Sequence, residues 1–174
     1  MTDQREFRRT MGMFATGVTV VASGTADDFQ AMTANAVTSL SLDPMLVLFC
    51  PRKTASIMPA LQANETFTIN ILTTHQRDLS IYFANAWPDD RAPPTFEMED
   101  WQGGPRLKYA IASVGCHLKE LVDGGDHWIA IGEVLALHRS KQPMLNPLIY
   151  YRGRYREVAP SPEHDVPVEW DFSW

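Results

Sequence analysis

Residues 111–138 read IASVGCHLKELVDGGDHWIAIGEVLALH, and they carry a clear signal of β structure. Apolar and polar residues alternate on both sides of an Asp-Gly-Gly-Asp sequence at positions 123–126. Alternation on either side of a glycine-rich turn is typical of two antiparallel strands that follow one another directly. The stretch therefore predicts a β-hairpin.

Further strands are predicted on both sides of this hairpin. Residues 18–22 are rich in β-branched side chains, residues 66–72 alternate with a period of two, and residues 148–151 form a final strand. Residues 45–50 are apolar at every position, which predicts a strand buried on both faces. Because so many strands would expose edges in an open sheet, we expect a closed antiparallel barrel.

Short helices are expected to attach to this barrel. Asp3 and Glu6 have the spacing of a capping box at the start of a helix, and Thr73 and Gln76 have the same spacing. Residues 85–105 contain four prolines and two tryptophans, so we expect an irregular segment that is nevertheless packed.

The composition is that of one globular domain. The chain has 174 residues, of which 45% are hydrophobic and 21% charged, and its formal net charge is −6. This acidity argues against a nucleic-acid partner. The longest uninterrupted apolar run, at 45–50, has six residues, so neither a signal peptide nor a transmembrane helix is expected. We therefore expect a cytoplasmic protein with no membrane partner.

The charge is distributed unevenly, which divides the chain into two parts. Residues 159–174 contain four acidic residues and no lysine or arginine. The same segment holds Trp170, Phe172 and Trp174, more apolar surface than a solubilising tail needs. We predict a barrel domain over residues 1–158 and an acidic, aromatic C-terminal tail over 159–174. We expect the tail to pack on the barrel or on a neighbouring subunit.

The sequence lacks the common catalytic and metal-binding motifs. It contains no phosphate-binding glycine loop, no zinc-type Cys/His spacing and no nucleophile elbow. Cys50 and Cys116 lie in apolar stretches, which predicts two reduced, buried thiols. No metal site is expected, and an enzyme of this sequence would take its chemistry from a bound organic cofactor.

Several short segments occur in an order that is specific to one family. They are FRRTMGMFATGVTVV at 7–21, MTAN at 32–35, TSLSLDP at 38–44, FTINIL at 67–72, GDH at 125–127, IGEV at 131–134 and PLIY at 147–150. Together they resemble the short-chain flavin reductases over about residues 5–158.

The resemblance implies a fold and an activity. It implies a six-stranded antiparallel split β-barrel of the FMN-binding type, mainly β with short peripheral helices, and usually a homodimer. It further implies an NAD(P)H-dependent flavin reductase, which uses NADH or NADPH to reduce FMN or FAD. The reduced flavin would then be released to a partner flavin-dependent monooxygenase component.

The resemblance also implies a flavin-binding wall in the semi-polar segment 32–41. Small residues let backbone N–H groups approach the flavin ring, where they stabilise the negative charge gained on reduction. The alternative is that these side chains merely face water on an edge strand. The implied wall residues are Met32, Thr33, Ala34, Asn35, Ala36, Ser39 and Ser41.

The phosphate of the flavin is expected in the turn that follows residues 45–50. Lys53, Thr54 and Ser56 are the candidate phosphate-binding residues, since this turn precedes a predicted helix. The alternative is that Thr54 or Ser56 only caps that helix. Ile57 departs from the family, in which a hydroxyl residue is common at this position.

The remaining candidates are one histidine, two aromatic residues and one arginine. His127 matches the histidine of the family motif, which implies a catalytic position on the nicotinamide side of the flavin, although a lone histidine in a turn is more often only solvated. Phe83 and Tyr150 would lie near the ring unless they belong to the core, and Arg152 would meet a dinucleotide phosphate. Gly115 also departs from the family, which often has an acidic residue there.

Two other functions remain open at this point. One is a flavin-binding electron carrier or storage protein that uses the same barrel without oxidising a nicotinamide. The other is a barrel whose flavin site has been lost to another ligand, because a fold does not determine a function.

Overall fold

The computed structural model describes residues 3–142 and 145–159. These residues contain twelve strands and three α-helices, joined by turns and irregular segments. The helices are α1 (Gln4–Met11), α2 (Met58–Asn64) and α3 (Arg77–Phe83). The strands are β1 (Thr16–Gly17), β2 (Thr19–Gly24), β3 (Phe29–Ala34), β4 (Val37–Leu42), β5 (Met45–Phe49), β6 (Thr66–Ile71), β7 (Met98–Glu99), β8 (Arg106–Leu107), β9 (Ala112–Gly124), β10 (His127–Arg139), β11 (Ile149–Tyr151) and β12 (Arg154–Arg156).

The hairpin predicted at residues 111–138 is confirmed and lies inside the main sheet. Its strands β9 and β10 have 13 residues each and are paired antiparallel, with register shifts at 131–132 and 134–136. The sheet has the strand order β3-β2-β6-β9-β10-β5-β4, and every neighbouring pair is antiparallel. A second sheet joins β1, β11 and β12, and a third joins β7 and β8.

The two edge strands of the main sheet are neighbours in sequence. Strands β3 and β4 end the strand order on opposite sides, yet only Asn35 and Ala36 separate them along the chain. The sheet must therefore curl until its two edges approach one another, although no ladder joins β3 to β4 within the described residues. This is a split barrel, as the resemblance implies, and the closed barrel expected from the number of strands does not form within the described residues. Its main sheet has seven strands rather than six, and β4 and β5 pair as a hairpin at one end of the strand order.

Two clusters of buried side chains fill the fold. The inner cluster joins Val21, Phe49 and Phe67 to α2, whose Leu61 is fully buried. The outer cluster lies between β2, α3 and the segment leading into β11, with Val20 at its centre. Alternate residues of β2 thus face different clusters, as the two-residue period of a strand requires.

A buried asparagine connects four strands. The amide nitrogen of Asn70 donates to Val20 O at 3.1 Å and to Thr68 Oγ1 at 3.1 Å. Its amide oxygen accepts from Leu107 N at 3.0 Å and from Ser113 Oγ at 2.9 Å. All four hydrogen-bonding positions of this side chain are therefore used, which offsets the cost of burying it.

The expectation that residues 45–50 are buried on both faces is wrong. Met45 is 50% exposed, and Phe49 is the fully buried member of β5. The reason is that β5 pairs with the edge strand β4, so it does not lie at the centre of the sheet. Cys50, expected to be buried, is also only half-buried, whereas Cys116 is buried and both thiols are free.

The helix starts agree only in part with the predicted caps. The capping box of Thr73 and Gln76 is confirmed at the start of a 3-10 turn, Thr74–Gln76, that leads directly into α3, with Thr73 N donating to Gln76 Oε1 at 3.1 Å. Asp3 caps α1 by accepting from Arg5 N at 3.1 Å, but the expected box with Glu6 does not form within the described residues. No helix in residues 3–142 or 145–159 is long and apolar enough to cross a membrane.

The irregular segment 85–105 packs closely on β9, and this contact explains Gly115. A Cβ atom at Gly115 would lie 1.9 Å from the carbonyl oxygen of Gln102. Gly103 faces the same contact, since its own Cβ would lie 2.4 Å from Cys116 N. An acidic side chain has no space here. The close packing of this segment therefore explains why glycine stands at position 115. Of the predicted tail, residues 160–174 lie outside the described residues.

Candidate functional site

The predicted flavin wall lies at the point where the two edge strands meet. Met32, Thr33 and Ala34 end β3, Asn35 and Ala36 form the connection, and Ser39 and Ser41 belong to β4. Met32 and Ala34 pack into the inner cluster, so their side chains belong to the core. Ser39 is exposed and Ser41 half-buried.

Two hydrogen bonds hold the end of β3 in place. Thr33 Oγ1 donates to Ser80 O at 2.7 Å, and Asn35 Nδ2 donates to Thr16 Oγ1 at 3.2 Å. The backbone N–H groups of Asn35 and Ala36 have no protein acceptor within the described residues. Both residues are exposed, so these two N–H groups are available to a ligand.

The turn after β5 connects the wall to His127. Cys50 N donates to Ala36 O at 3.1 Å, and Trp128 N donates to Pro51 O at 2.9 Å. Arg52 and His127 then form an antiparallel bridge, and Lys53 N donates to Asp126 O at 3.1 Å. Three segments that are far apart in the sequence are thus joined by backbone hydrogen bonds.

Lys53 is held by two groups of the hairpin. Its Nζ atom lies 2.5 Å from Asp123 Oδ2 and 4.7 Å from the ring centroid of Trp128. The hydrogen bond from Lys53 lowers the pKa of Asp123, and the backbone N–H of Gly125 lowers it further. The ammonium group of Lys53 therefore has a defined position beside the turn.

His127 is oriented by its neighbour in the sequence. Its Nδ1 atom lies 2.7 Å from Asp126 Oδ1, and its side chain is 35% exposed. The hydrogen bond to His127 lowers the pKa of Asp126, so this carboxylate stays charged below the usual range of aspartate. Because Nδ1 is engaged, Nε2 is the ring nitrogen that remains for another partner.

The predicted phosphate residues lie in a turn with unpaired donors. Thr54 and Ser56 are exposed, and neither of them caps α2, whose N-cap residue is Ile57. The backbone N–H groups of Thr54, Ser56 and Ile57 find no acceptor in the described part of the chain. The N–H of Ala55, which lies between them, donates to Arg52 O at 3.0 Å. The three free N–H groups and the nearby Lys53 ammonium are donors suited to an anion. The side chain of Ile57 is fully buried in the inner cluster, which explains an apolar residue at this position.

The other three candidates lie away from the turn. Tyr150 is paired with Thr16 across β1 and β11, and its ring lies 5.5 Å from that of Tyr155. Phe83 is buried in the outer cluster and also lines a cavity of about 670 Å³. Arg152 lines a different cleft with the arginines of α1, and its N–H donates to Gly12 O at 2.8 Å. The structure does not bring Arg152 together with Lys53 and His127.

Sequence reasoning missed the acidic partners of the site. Asp123 and Asp126 flank the hairpin turn, and they hold Lys53 and His127 respectively. Asp126 is part of the Gly-Asp-His motif and could have been found from it. The partnership between Asp123 and Lys53 depends on the bridge of Arg52 to His127, for which the sequence carries no local signal.

The region that contains these segments matches a known sequence profile. The profile of the flavin reductase like domain matches residues 11–159, which include the wall, the turn and His127. The chain belongs to the flavin reductase-like domain family. This flavin reductase-like chain is 34% identical over 172 residues to the reductase subunit HsaB of a Mycobacterium tuberculosis flavin-dependent monooxygenase, which covers 97% of this chain and 88% of the relative.

Two further relatives are named for different flavins, one for FMN and the other for FAD. The NADH-dependent FMN reductase AsuE2 of Streptomyces nodosus is 38% identical over 157 residues, which cover 86% of this chain and 82% of the relative. The Streptomyces globisporus NADH:FAD oxidoreductase SgcE6, solved in complex with NAD and FAD fragments, superposes with a TM-score of 0.81. It is 35% identical, and the match covers 92% of this chain and 96% of the other.

Proposed function

We propose that this chain is an NAD(P)H-dependent flavin reductase that transfers a hydride from NADH or NADPH to FMN or FAD. The observation that carries the proposal is the hydrogen-bonded connection from Ala36 through the turn at 50–53 to His127. Membership of the family supports it, because relatives are named NADH-dependent FAD and FMN reductases.

The donor set of the site fits a flavin. The free N–H groups of Thr54, Ser56 and Ile57, together with the Lys53 ammonium, would hold a flavin phosphate. The free N–H groups at 35–36 would donate to the polar atoms of the flavin ring. When bound, the flavin supplies the two-electron acceptor for the nicotinamide hydride.

His127 is proposed to orient the nicotinamide dinucleotide. Asp126 fixes the ring through Nδ1, so the Nε2 atom has a constant direction from which to hydrogen-bond the dinucleotide or to supply a proton. Such positioning raises the rate because the reacting groups are held together in a productive arrangement.

The activity is tested by following oxidation of NADH and of NADPH with FMN and with FAD. The proposal predicts turnover with at least one of the four pairs, and no oxidation with any pair would refute it. In His127→Ala, we expect kcat/KM for the dinucleotide to fall by about 10- to 100-fold while the flavin Kd stays within about twofold. His117→Ala, which removes an exposed histidine of β9, is the matched control and should keep full activity.

The same experiment separates the reductase from an electron carrier. A carrier would retain its flavin through desalting, and its reduction would not change in His127→Ala. A reductase that supplies another protein should release its product. After anaerobic reduction by the dinucleotide, we therefore expect reduced flavin in the filtrate of an ultrafiltration membrane that retains the protein.

The reduced flavin is proposed to pass to a flavin-dependent monooxygenase component. This proposal is supported by the HsaB relative, whose name identifies it as the reductase subunit of such an enzyme. The exposed positions of Thr54, Ser56 and Ser39 agree with it, because a shallow site permits rapid exchange of flavin.

The protein is further proposed to act as a homodimer. Phe7 and Phe14, in and just after α1, are 64% and 70% exposed, and Leu42 and Met45 are exposed at the hairpin of β4 and β5. Exposed apolar side chains of this size are typical of an interface, and a second copy would cover them. Sedimentation velocity at micromolar concentration should show a dimer, and Phe14→Ser should weaken it. A monomeric wild type would refute this proposal.

A further inference from the structure

Six arginines gather on one surface of the protein, which we call the arginine surface. Three belong to α1, one to the turn between β11 and β12, and two to β12. The α1 arginines and Arg152 line a cleft of about 680 Å³, and Arg152 lines a second cavity of about 290 Å³ with the two arginines of β12. The N–H of Arg152 donates to Gly12 O at 2.8 Å, which fixes the turn beside the end of α1. The six residues are Arg5, Arg8, Arg9, Arg152, Arg154 and Arg156.

The positions of these arginines in their elements turn them towards solvent. In α1 they are three and four residues apart, which places them on one helix face, whereas Phe7 and Met11 occupy the opposite face. In β12, Arg154 and Arg156 point away from the core, because Tyr155 between them packs against the outer cluster. All six arginines are exposed. The face of α1 that carries Phe7, proposed to meet a second copy, is therefore not the face that carries the arginines.

The charge of the arginine surface is only partly balanced within the described residues. Arg9 Nη1 lies 3.7 Å from Glu6 Oε2, and no carboxylate in residues 3–142 or 145–159 lies within 4.0 Å of a side-chain nitrogen of the other five arginines. Asp3 and Glu157, which flank α1 and β12, are the other acidic residues adjacent in the sequence. Six positive charges thus stand against three negative ones. Because like charges repel when they lie close together, this surface attracts an anionic segment.

The chain itself supplies such a segment shortly after β12. Residues 160–174, which lie outside the described residues, contain four acidic residues and no lysine or arginine. The segment starts four residues after Arg156, and its 15 residues can span up to roughly 50 Å, whereas the eight residues of α1 are roughly 12 Å long. The segment is therefore long enough to reach every arginine of the surface. Its acidic and aromatic residues are Glu163, Asp165, Glu169, Trp170, Asp171, Phe172 and Trp174.

We propose that residues 160–174 dock on the arginine surface of their own chain. Carboxylates pair with guanidinium groups through two parallel hydrogen bonds, and aromatic rings stack on the guanidinium plane. The segment contains both of these partners of arginine, and they alternate from Glu169 to Phe172. An acidic part of the chain thereby neutralises a basic surface and closes it to other polyanions. The proposal does not depend on the proposed flavin reductase function.

Cleavage of the full-length protein by chymotrypsin tests the proposal, because this protease cuts after aromatic residues. Mass spectrometry measures the rate of cleavage after Trp170 and Phe172, and a synthetic peptide of residues 160–174 gives the rate for the undocked segment. At about 20 mM NaCl, the full-length protein should be cut about tenfold more slowly than the peptide, since docking hides both sites. At about 1 M NaCl the two rates should agree within about twofold, because salt screens the charges.

Two pairs of substitutions locate the docking surface. In Arg154→Gln/Arg156→Gln, cleavage at low salt should be about fivefold faster than in the wild type, because two guanidinium partners are lost. The matched control is Lys119→Gln/Lys141→Gln, which removes the same charge at exposed positions outside the arginine surface and should leave the rate unchanged. Circular dichroism checks that each variant is folded.

Three results would overturn the proposal. The first is a wild-type protein that is cut as fast as the peptide at low salt. The second is slow cleavage that salt does not accelerate, which would place the segment on an apolar surface instead; this arm uses only the wild type and does not depend on folding of a variant. The third is equal acceleration in the arginine and lysine variants, which would show that net charge matters and the arginine surface does not.

Discussion

Replacing Gly115 by alanine is predicted to separate the 101–105 segment from β9. The added methyl group would lie 1.9 Å from Gln102 O, whereas ordinary van der Waals contact begins near 3.4 Å. The obstacle is backbone, so no change of rotamer relieves it. The segment must move outward by about 1.5 Å to relieve the contact. Pro105 and Leu107, which follow it closely, are hydrogen-bonded into the core.

The cost follows from those hydrogen bonds. Thr68 Oγ1 donates to Pro105 O at 2.5 Å, and Leu107 N donates to Asn70 Oδ1 at 3.0 Å, and both contacts are buried. Each contributes about 1 kcal/mol, and the strain of overpacking adds about 1 kcal/mol or more. We expect Gly115→Ala to lower the free energy of unfolding by about 3 kcal/mol. For a chain of this length, the Tm should fall by about 6–12 °C.

Urea unfolding followed by circular dichroism measures this loss, at one protein concentration for all variants. Gly17→Ala is the matched control, because a Cβ at Gly17 meets no atom within 4 Å and its φ is not in the left-handed region. It should change the unfolding free energy by less than about 0.5 kcal/mol. A loss below about 1 kcal/mol for Gly115→Ala would show that the segment is not held against β9 in the way described.

Three further predictions concern buried and paired groups. Burial raises the pKa of Cys116 to about 12, so Ellman's reagent should modify only Cys50 in the native protein and both thiols in denaturant; two rapidly modified thiols before denaturation would contradict this. Asn70→Ala should cost about 2–4 kcal/mol in urea unfolding, because it leaves buried N–H and C=O groups without partners, and a loss under 1 kcal/mol would contradict the network. The pKa of Asp123 is lowered by Lys53, so the pair persists at neutral pH and is lost as the pH falls through that lowered pKa. Asp123→Asn removes the carboxylate that competes with a bound phosphate for the Lys53 ammonium, so this variant should bind FAD a few-fold more tightly than the wild type at pH 7. The difference in FAD Kd should vanish as the pH falls and Asp123 of the wild type becomes protonated.

The hairpin, the strand alternation and the Thr73 capping box could be predicted because each depends on residues close together in the sequence. The exposure of Met45 could not be predicted, because the apolar pattern of residues 45–50 is the same for a central strand and for a strand beside the edge of a sheet. The meeting of Lys53 with His127 depends on the pairing of β5 with β10, a long-range register that no local pattern specifies.

The sequence resemblance indicates a region of the fold more directly than it indicates individual side chains. Met32 and Ala34 were expected at the flavin and lie against the core, where their strand still places the backbone of the next residues at the edge. Ile57 lacks the hydroxyl common in the family, yet its backbone N–H belongs to the same turn and finds no acceptor among the described residues. At these positions the donors open to a ligand are backbone N–H groups, so the identity of the side chain is a weak guide to the proposed site.

The short connection at Asn35–Ala36 has a mechanical consequence. Ala34 and Val37 can be at most about 11 Å apart, because only three Cα–Cα steps separate them. The first and last strands of a seven-strand sheet are therefore tied by a covalent tether, and the sheet cannot flatten without breaking ladders elsewhere. The backbone at this connection is held at both ends by the sheet. A molecule bound there would therefore contact a rigid part of the fold, although the connection itself is exposed at the surface.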